Sequence, residues 1–326
     1  MTIHALRGVI ATLCAALLGL FLTALIGFRM SQSALCDAVG AHLQTTAQLQ
    51  INHVDTIIEH NLNQLALVNS RTQLRLSLRA FQQGEDPSER ARMNKILRDA
   101  RNATWEFEDI DVLDLDGEVV ASTKETHLGD MRKDDPSFQK GIKGYTSQLA
   151  TFVAGTPRLE LSGPLILEGK TIGVLMVLAR TETLNQVTAD YTGLGKTGET
   201  MLVMHRENGP PIAITPLRQD REPMRAVKID PLELRDGVLT ETTDYRGKSV
   251  LAMTRKLPHL DWSIVVKIDE EEAYGAQANH MRFMFASLTL TILLTALVFV
   301  GFVRKNWEPQ PGLDRKTAGT PVATET

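Results

Sequence analysis

Two apolar segments without a single charged residue lie close to the ends of this chain, at residues 9–28 and 283–303. Each has about 20 residues, the length that an α-helix needs to cross the hydrocarbon core of a bilayer. We therefore predict two transmembrane helices at these positions. The sequence between them has the mixed composition of a globular protein. That layout predicts a folded domain outside the membrane, anchored at both of its ends.

The charges that flank these helices predict their orientation. Arg7 precedes the first segment, whereas Arg304 and Lys305 follow the second directly. Because cytoplasmic flanks carry an excess of Lys and Arg, both termini are predicted to be cytoplasmic. Arg29 and Arg282 lie on the other side and weaken this bias, but long loops are exported largely regardless of charge. These features predict a two-pass protein of a bacterial inner membrane, with a periplasmic or extracellular domain.

The segments beyond the two helices are short. Residues 1–8 form the predicted cytoplasmic N-terminus. Residues 304–326 are rich in Pro, Thr, Gly and charge, which predicts a disordered cytoplasmic tail. A cleaved signal peptide is the alternative interpretation of residues 9–28. We favour a retained anchor because the apolar stretch is long for a signal peptide and no small-x-small cleavage site follows it.

Composition excludes one class of partner. The chain has 35 Lys and Arg against 39 Asp and Glu, a net charge of −4, and only 5% aromatic residues. A nucleic-acid-binding protein needs a basic stripe or stacking aromatics, so no nucleic acid partner is expected. The two cysteines, Cys14 and Cys36, are too few for a disulfide framework. They are either inert thiols or, at Cys36, the site of a bridge across a dimer in an oxidising compartment.

A helical pattern begins where the first apolar segment ends. Apolar residues recur mostly every three or four positions, which predicts one long helix with a single apolar stripe. Part of that stripe is expected to face a second copy of the chain, so a homodimer is predicted. The stripe consists of Leu35, Val39, Leu43, Ile51, Val54, Ile58, Leu62 and Leu65.

The next part of the chain alternates helices with strands. Asp86, Pro87 and Glu89 form a helix-start signal, and Asp116-Gly117 is a hairpin turn signal. Helix 136–142 separates the hairpin from three further strands. The predicted module spans about residues 86–182 and is an antiparallel sheet with helices packed on it, an α+β fold. Its strands are residues 107–115, 118–122, 145–154, 158–166 and 171–179.

A reduced version of the same plan follows at about residues 192–269. A connecting helix is predicted at residues 183–191. Asp269 and Glu272 predict a capped helix that continues into the second apolar segment. The strands of this second module are residues 199–206, 238–245, 249–255 and 262–268.

Several of these stretches together resemble the double Cache (dCache) family of extracytoplasmic sensor domains, which carry two PAS-like modules on a long helix. The resemblance covers about residues 30–280. It implies a small-molecule sensor whose distal module takes organic acids, amino acids or amines and which controls kinases, chemoreceptors or cyclic-nucleotide enzymes. The stretches that carry it are residues 110–122, 136–144, 161–166, 173–175, 195–200 and 262–269.

The chain departs from the family pattern twice. Residues 304–326, which follow the second apolar segment, are expected to be too short to form an output domain. In addition, the Arg-x-Trp-Tyr signature for amino acid ligands reads Asp135-Pro136-Ser137-Phe138. An α-amino acid is therefore not the expected ligand.

The candidate ligand site is the distal sheet facing helix 136–142. Polar residues inside otherwise apolar strands are the candidates, and Arg158 is expected to pair with a ligand carboxylate. The alternative is that Arg158 and Glu160 alternate outward to water while their neighbours fill the core. Lys124, Asp130 and Arg132 lie on a loop that is a candidate lid. The predicted ligand-binding residues are Phe138, Tyr145, Thr151, Arg158, Glu160 and Ser162; Phe138 and Tyr145 are either pocket walls or core.

Three motifs are interpreted as structural. Gly195-Lys196-Thr197 lacks the upstream glycine of a phosphate-binding loop. The acidic run from Asp109 to Asp116 lacks the first and twelfth ligands of a calcium loop, and a half-exposed strand with an Asp-Gly turn explains it. His53 and His60 share a helix face but have no further ligands. No metal, cofactor or catalytic residue is therefore predicted.

The predicted function is a membrane-anchored sensor that relays ligand binding through the second transmembrane helix to a separate kinase or other signalling partner. Two alternatives remain from the sequence. One is a ligand-free structural or scaffolding subunit. The other is the front half of a histidine kinase, chemoreceptor or diguanylate cyclase. An exported enzyme is a third class, for which the sequence offers no nucleophile constellation.

Overall fold

In the computed structural model, one helix, α1, runs without interruption from Ile3 to Asn69. The structure describes residues 3–84, 86–153, 156–206, 209–221, 225–227, 229, 235–258 and 260–306; within these, side chains are described except at 3–9, 149–153, 156–157, 276–281, 303 and 306. The chain divides into two units. One is Cys36–Gly275, and the other combines Met1–Leu35 with Ala276–Thr326.

The terminal unit contains two helical stretches that are long and apolar enough to cross a membrane, one near the N-terminus and one at Arg282–Phe302. The second belongs to α6, which spans Glu270–Asn306. Hydroxyl groups inside these stretches donate to the preceding helical turn: Thr289 Oγ1 to Phe285 O at 2.8 Å, and Thr295 Oγ1 to Thr291 O at 2.6 Å. Such internal pairing is what a hydroxyl group needs where no water is available.

Most of the predicted apolar stripe of α1 is buried in the Cys36–Gly275 unit, whereas Leu35, Val39 and Leu62 are partly exposed. Leu43, Val54 and Leu65 are fully buried. They belong to one hydrophobic cluster that includes Leu175 of the first sheet and Ile264 of the second. The long helix is therefore the common support of both sheets, which is why its stripe extends over so many turns.

The first sheet has five antiparallel strands in the order β2-β1-β5-β4-β3. The β1–β2 hairpin turns at Gly117, whose φ of +87° explains the Asp-Gly signal. Asp86 caps α3 as predicted, with its carboxylate accepting from Ser88 N. The elements are α2 Thr72–Gly84, α3 Pro87–Ala103, β1 Phe107–Leu113, β2 Val119–Ser122, a 3-10 turn Glu125–His127, α4 Pro136–Gly141, β3 Thr146–Val153, β4 Thr156–Leu167 and β5 Lys170–Ala179.

The second sheet repeats this arrangement, because its order is β7-β6-β10-β9-β8. The α+β fold with a long N-terminal helix and two antiparallel sheets is thus confirmed. Helix α2 and strand β7 were not predicted. The elements are α5 Glu182–Ala189, β6 Glu199–Met204, β7 Ile212–Ala213, β8 Thr240–Thr243, β9 Ser249–Lys256 and β10 Trp262–Asp269.

The junction between β10 and α6 differs from the predicted capping box. Glu272 does not reach back to the start of its helix. Its carboxylate accepts from the backbone N–H groups of Lys196 at 2.8 Å and Thr197 at 2.7 Å. The Asp269 carboxylate accepts instead from the Arg246 guanidinium. The amides of the Gly195-Lys196-Thr197 turn therefore hold the first turn of α6, a structural role.

Candidate ligand site

The first sheet has one face on the main core and an opposite face under α4. On this second face, a separate apolar cluster joins Leu113, Val174 and Met176 to Phe138 of α4. Strand register places polar residues on the same face, since Met176 lies opposite both Asp111 and Ser162. Polar and apolar side chains therefore meet beneath α4.

Asp111 is the buried centre of the polar part, with 5% of its surface exposed. Its carboxylate accepts from the Ser122 hydroxyl at 2.5 Å and lies 3.0 Å from His127 Nδ1. The Ser122 hydroxyl oxygen in turn accepts from Lys124 N at 2.9 Å. The interpretation of this region as a half-exposed strand is therefore wrong for Asp111.

Arg132 ties the loop before α4 to the sheet. It donates to Glu160 Oε1 at 2.7 Å and also pairs with Asp135. Asp135 caps α4 by accepting from Ser137 N at 2.8 Å. The buried Ser162 hydroxyl donates to Ser137 O at 2.6 Å. The predicted lid loop is thus anchored by ion pairs and hydrogen bonds on both α4 and β4.

The electrostatics of this polar cluster are dominated by carboxylates. Burial raises the pKa of Asp111 above its ordinary value, and Ser122, His127 and Arg132 offset only part of that rise. Burial alone would lower the pKa of Arg132, but its pairs with Glu160 and Asp135 outweigh burial and raise it. The cluster contains three carboxylates, one guanidinium and one imidazole, so it attracts positive charge. These groups belong to Asp111, Asp135, Glu160, Arg132 and His127.

The structure brings two of the six predicted residues into this cluster. Glu160 is 7% exposed and pairs with Arg132, and Ser162 is fully buried. Arg158 lies on the same strand, but its guanidinium is 2.5 Å from Glu108. The alternative in which Arg158 and Glu160 point to water is wrong, because both side chains make ion pairs within the protein.

The other three predicted residues lie outside the polar cluster. Phe138 is buried in the apolar cluster under α4. Tyr145 is half-exposed, and its hydroxyl oxygen accepts from Asn69 Nδ2 at 3.3 Å. Thr151 belongs to β3, but its side chain lies outside the described residues. In the described part of the structure, none of these three residues forms a hydrogen bond with the Asp111 carboxylate.

Sequence reasoning missed Asp111, Ser122 and His127. A signal was present, because Asp111 stands two residues before Leu113 and is therefore expected on the same face of the strand as that apolar side chain. Asp114 makes a local turn by accepting from Asp116 N and Glu118 N, each at 2.9 Å. Among the described residues, no group of three metal-ligating side chains occurs.

The pKa of Asp111 gives a stability test. Because its folded pKa is raised, the folded state holds the proton more tightly, and stability is lost as pH rises from the ordinary value of about 4 through the raised value. Asp111→Asn is therefore expected to raise the melting temperature at pH 7 and to give no gain below about pH 4. Calorimetry across this range measures the difference. Asp116→Asn, on the exposed turn, is the control. A larger loss at pH 7 than at pH 4 would show that the ionised form is favoured in the fold.

Solved structures share this architecture. The sensor domain of the V. cholerae histidine kinase DctB is 15% identical, with a TM-score of 0.55 over 72% of this chain and 98% of that chain. The isoleucine-bound sensory domain of the Campylobacter jejuni chemoreceptor Tlp3 is 14% identical, with a TM-score of 0.56 over 75% and 98%. The Pseudomonas fluorescens chemoreceptor CtaA domain in complex with L-isoleucine is 15% identical, with a TM-score of 0.51 over 76% and 98%. At these identities the likeness shows the fold.

Sequence comparison gives the family. No curated protein sequence matches the chain significantly. The profile of the family dCache_1, described as Cache domain, matches residues 31–277. Since that match covers most of the chain and includes both sheets, this protein belongs to the double Cache family of sensor domains.

Proposed function

We propose that this chain is a membrane-anchored extracytoplasmic sensor that binds a small organic amine beneath α4 of the first sheet. The observation that carries the proposal is the buried Asp111 carboxylate in a cluster with more acidic than basic groups. An ammonium group would supply the missing positive charge and hydrogen-bond donors. The apolar cluster at Phe138 and Met176 would take the carbon skeleton of such a ligand.

A carboxylate ligand fits less well. Arg132 is already paired with Glu160 and Asp135, and Arg158 with Glu108. A carboxylate would have to displace one of these partners and leave a buried carboxylate unpaired, which costs free energy. The sensor domains of the chemoreceptors Tlp3 and CtaA have isoleucine bound, and isoleucine contains an ammonium group as well as a carboxylate.

The rest of the proposal concerns the relay. We infer that the two apolar helical segments cross the bacterial inner membrane and that α6 passes a ligand-dependent change to a partner protein. Support comes from the continuity of α6, which begins directly after β10 and contains the second apolar segment. A homodimer through α1, a separate kinase and the module bounds 86–182 and 192–269 stay predictions.

A thermal-shift screen on the full chain in detergent tests the ligand class. The panel contains primary amines of two to six carbons, each with its matched alcohol and carboxylate. A ligand at 100 times its dissociation constant adds about 2.7 kcal/mol of stability. We expect amines alone to stabilise the protein. Asp111→Asn is expected to weaken that binding by about tenfold or more, because a charge-assisted hydrogen bond is lost. Asp116→Asn should bind amines as the parent does.

Two outcomes would contradict the proposal in different ways. Stabilisation by the carboxylates and not the amines would reverse the assigned ligand charge. No stabilisation by any compound would favour the scaffolding function. One observation supports that second function, namely that Leu113, Phe138 and Met176 already pack against one another beneath α4.

A further inference from the structure

A groove of about 860 Å³ runs between the first sheet and the second. One wall is the outer edge of β3 with the last turn of α4, represented by Gln148 and Lys140. The other wall is the β9–β10 connection, with Lys256, Asp261 and Trp262. The groove contains neither Asp111 nor Arg132, so it is separate from the cluster beneath α4. Its volume is within the range of about 300–1,000 Å³ that is usual for small-molecule sites.

The charges of the groove are opposite to those of the cluster. Lys140 and Lys256 come from the two different walls, and neither makes an ion pair with a described residue. Asp261 is the one acidic residue among the lining residues. The two lysines outnumber this single carboxylate, so the groove is net positive. Anions with a carboxylate group are the complement of two such ammonium groups.

A second, independent observation concerns Gln148. Its side-chain amide nitrogen is buried and has no hydrogen-bond partner in the described part of the protein. A buried donor of this kind is costly unless an acceptor reaches it. The groove also has an apolar wall, because Leu257 and Trp262 line it and are nearly fully buried themselves. The lining thus combines cations, an amide donor and an apolar surface.

We propose that this groove is a second ligand site, which binds an organic carboxylate with an apolar body. The carboxylate lies between Lys140 and Lys256 and accepts from the Gln148 amide, and the apolar body packs on Leu257 and Trp262. Because its walls belong to different sheets, such a ligand favours the arrangement in which both walls contact it. The ligand has a higher affinity for that arrangement than for one in which only one wall touches it. This difference in affinity is what shifts the equilibrium between the two arrangements of the sheets.

Trp262 provides the readout. The chain has three tryptophans, and Trp105→Phe with Trp307→Phe leaves Trp262 as the one tryptophan, whose emission is excited selectively at about 295 nm or above, beyond tyrosine absorption. The probes are 4-nitrobenzoate and its neutral analogue 4-nitrobenzamide, since nitroaromatic groups quench indole fluorescence on contact. We expect saturable quenching by 4-nitrobenzoate at concentrations at least tenfold lower than by 4-nitrobenzamide, and a weaker effect at high salt.

Charge-reversal variants locate the site. Lys140 and Lys256 are both exposed, so the variants Lys140→Glu and Lys256→Glu should fold normally. Each substitution is expected to weaken 4-nitrobenzoate binding at least tenfold. Lys170→Glu, an exposed lysine outside the groove, should have no effect. Equal quenching by the two probes, no saturable quenching, or full binding by the Lys140→Glu/Lys256→Glu double variant would each overturn the proposal. The amine response in the Asp111 experiment is independent, so failure of one site is distinguishable from failure of the other.

Discussion

Replacing Lys267 by methionine is expected to lower the free energy of unfolding of the Cys36–Gly275 unit by about 3–5 kcal/mol. Lys267 is fully buried, and its Nζ lies 2.9 Å from Glu199 Oε2 and 2.7 Å from Asp244 Oδ2. Both carboxylates are also buried. Hydrogen bonds from Lys267 and Arg246 lower the pKa of Asp244 although burial acts to raise it. Without the ammonium group, the buried carboxylates of Glu199 and Asp244 repel each other and have less positive charge beside them.

Denaturant unfolding of the purified chain, followed by circular dichroism, measures this loss. Lys170→Met is the matched control, because Lys170 is exposed and its replacement should change stability by less than about 0.5 kcal/mol. The triple variant Lys267→Met/Glu199→Gln/Asp244→Asn should recover much of the loss, since it removes the unpaired charges as well. If Lys267→Met alone is as stable as the parent, the ion pairs contribute nothing to the fold.

The second large effect concerns α1. Leu65→Ala is expected to cost about 2–5 kcal/mol, which is the usual range for removing a buried leucine side chain. Leu65 is fully buried in the hydrophobic cluster that both sheets share. The cost combines lost burial with the cavity that the surrounding side chains cannot fill.

Leu67→Ala is a close control, because Leu67 lies two residues along the same helix and is 62% exposed. It should change the stability of the monomer by less than about 0.5 kcal/mol. Equal losses from the two variants would contradict the assignment of the buried stripe. A loss at Leu67 that depends on protein concentration would identify the exposed side of α1 as a contact between copies.

Regular elements were predictable because their signals are local. The Leu43–Leu65 stripe has the helical period, and the Asp116-Gly117 turn needs the positive φ that Gly117 adopts. Helix α2 was missed although Leu74, Leu78 and Phe81 have the same spacing and are buried. The two-residue strand β7 has no periodic signal, since it is defined by pairing with β6.

The candidate site was less predictable because it depends on tertiary contacts. Alternation along β4 correctly separated Leu159 and Leu161 from Glu160. It gave no means of knowing that α4 and its preceding loop cover the side that carries Glu160. Glu160, one of the two partners of Arg132, is 28 residues away along the chain. Spacing alone therefore placed Arg132 on a loop and left its role in the cluster unseen.

The repeated strand order has a consequence for the two halves of the molecule. In each sheet the central strand presents one side to α1 and the other side away from it, and on β10 that other side carries Lys267. In the second sheet, the Lys267 ammonium group therefore lies between two carboxylates. On the corresponding side of the first sheet lie the buried carboxylates of Asp111 and Glu160. The second sheet thus supplies the cation for its buried carboxylates from its own side chain, Lys267. Under the proposed function, the corresponding position in the first sheet is filled by the ammonium group of a ligand that exchanges with solvent.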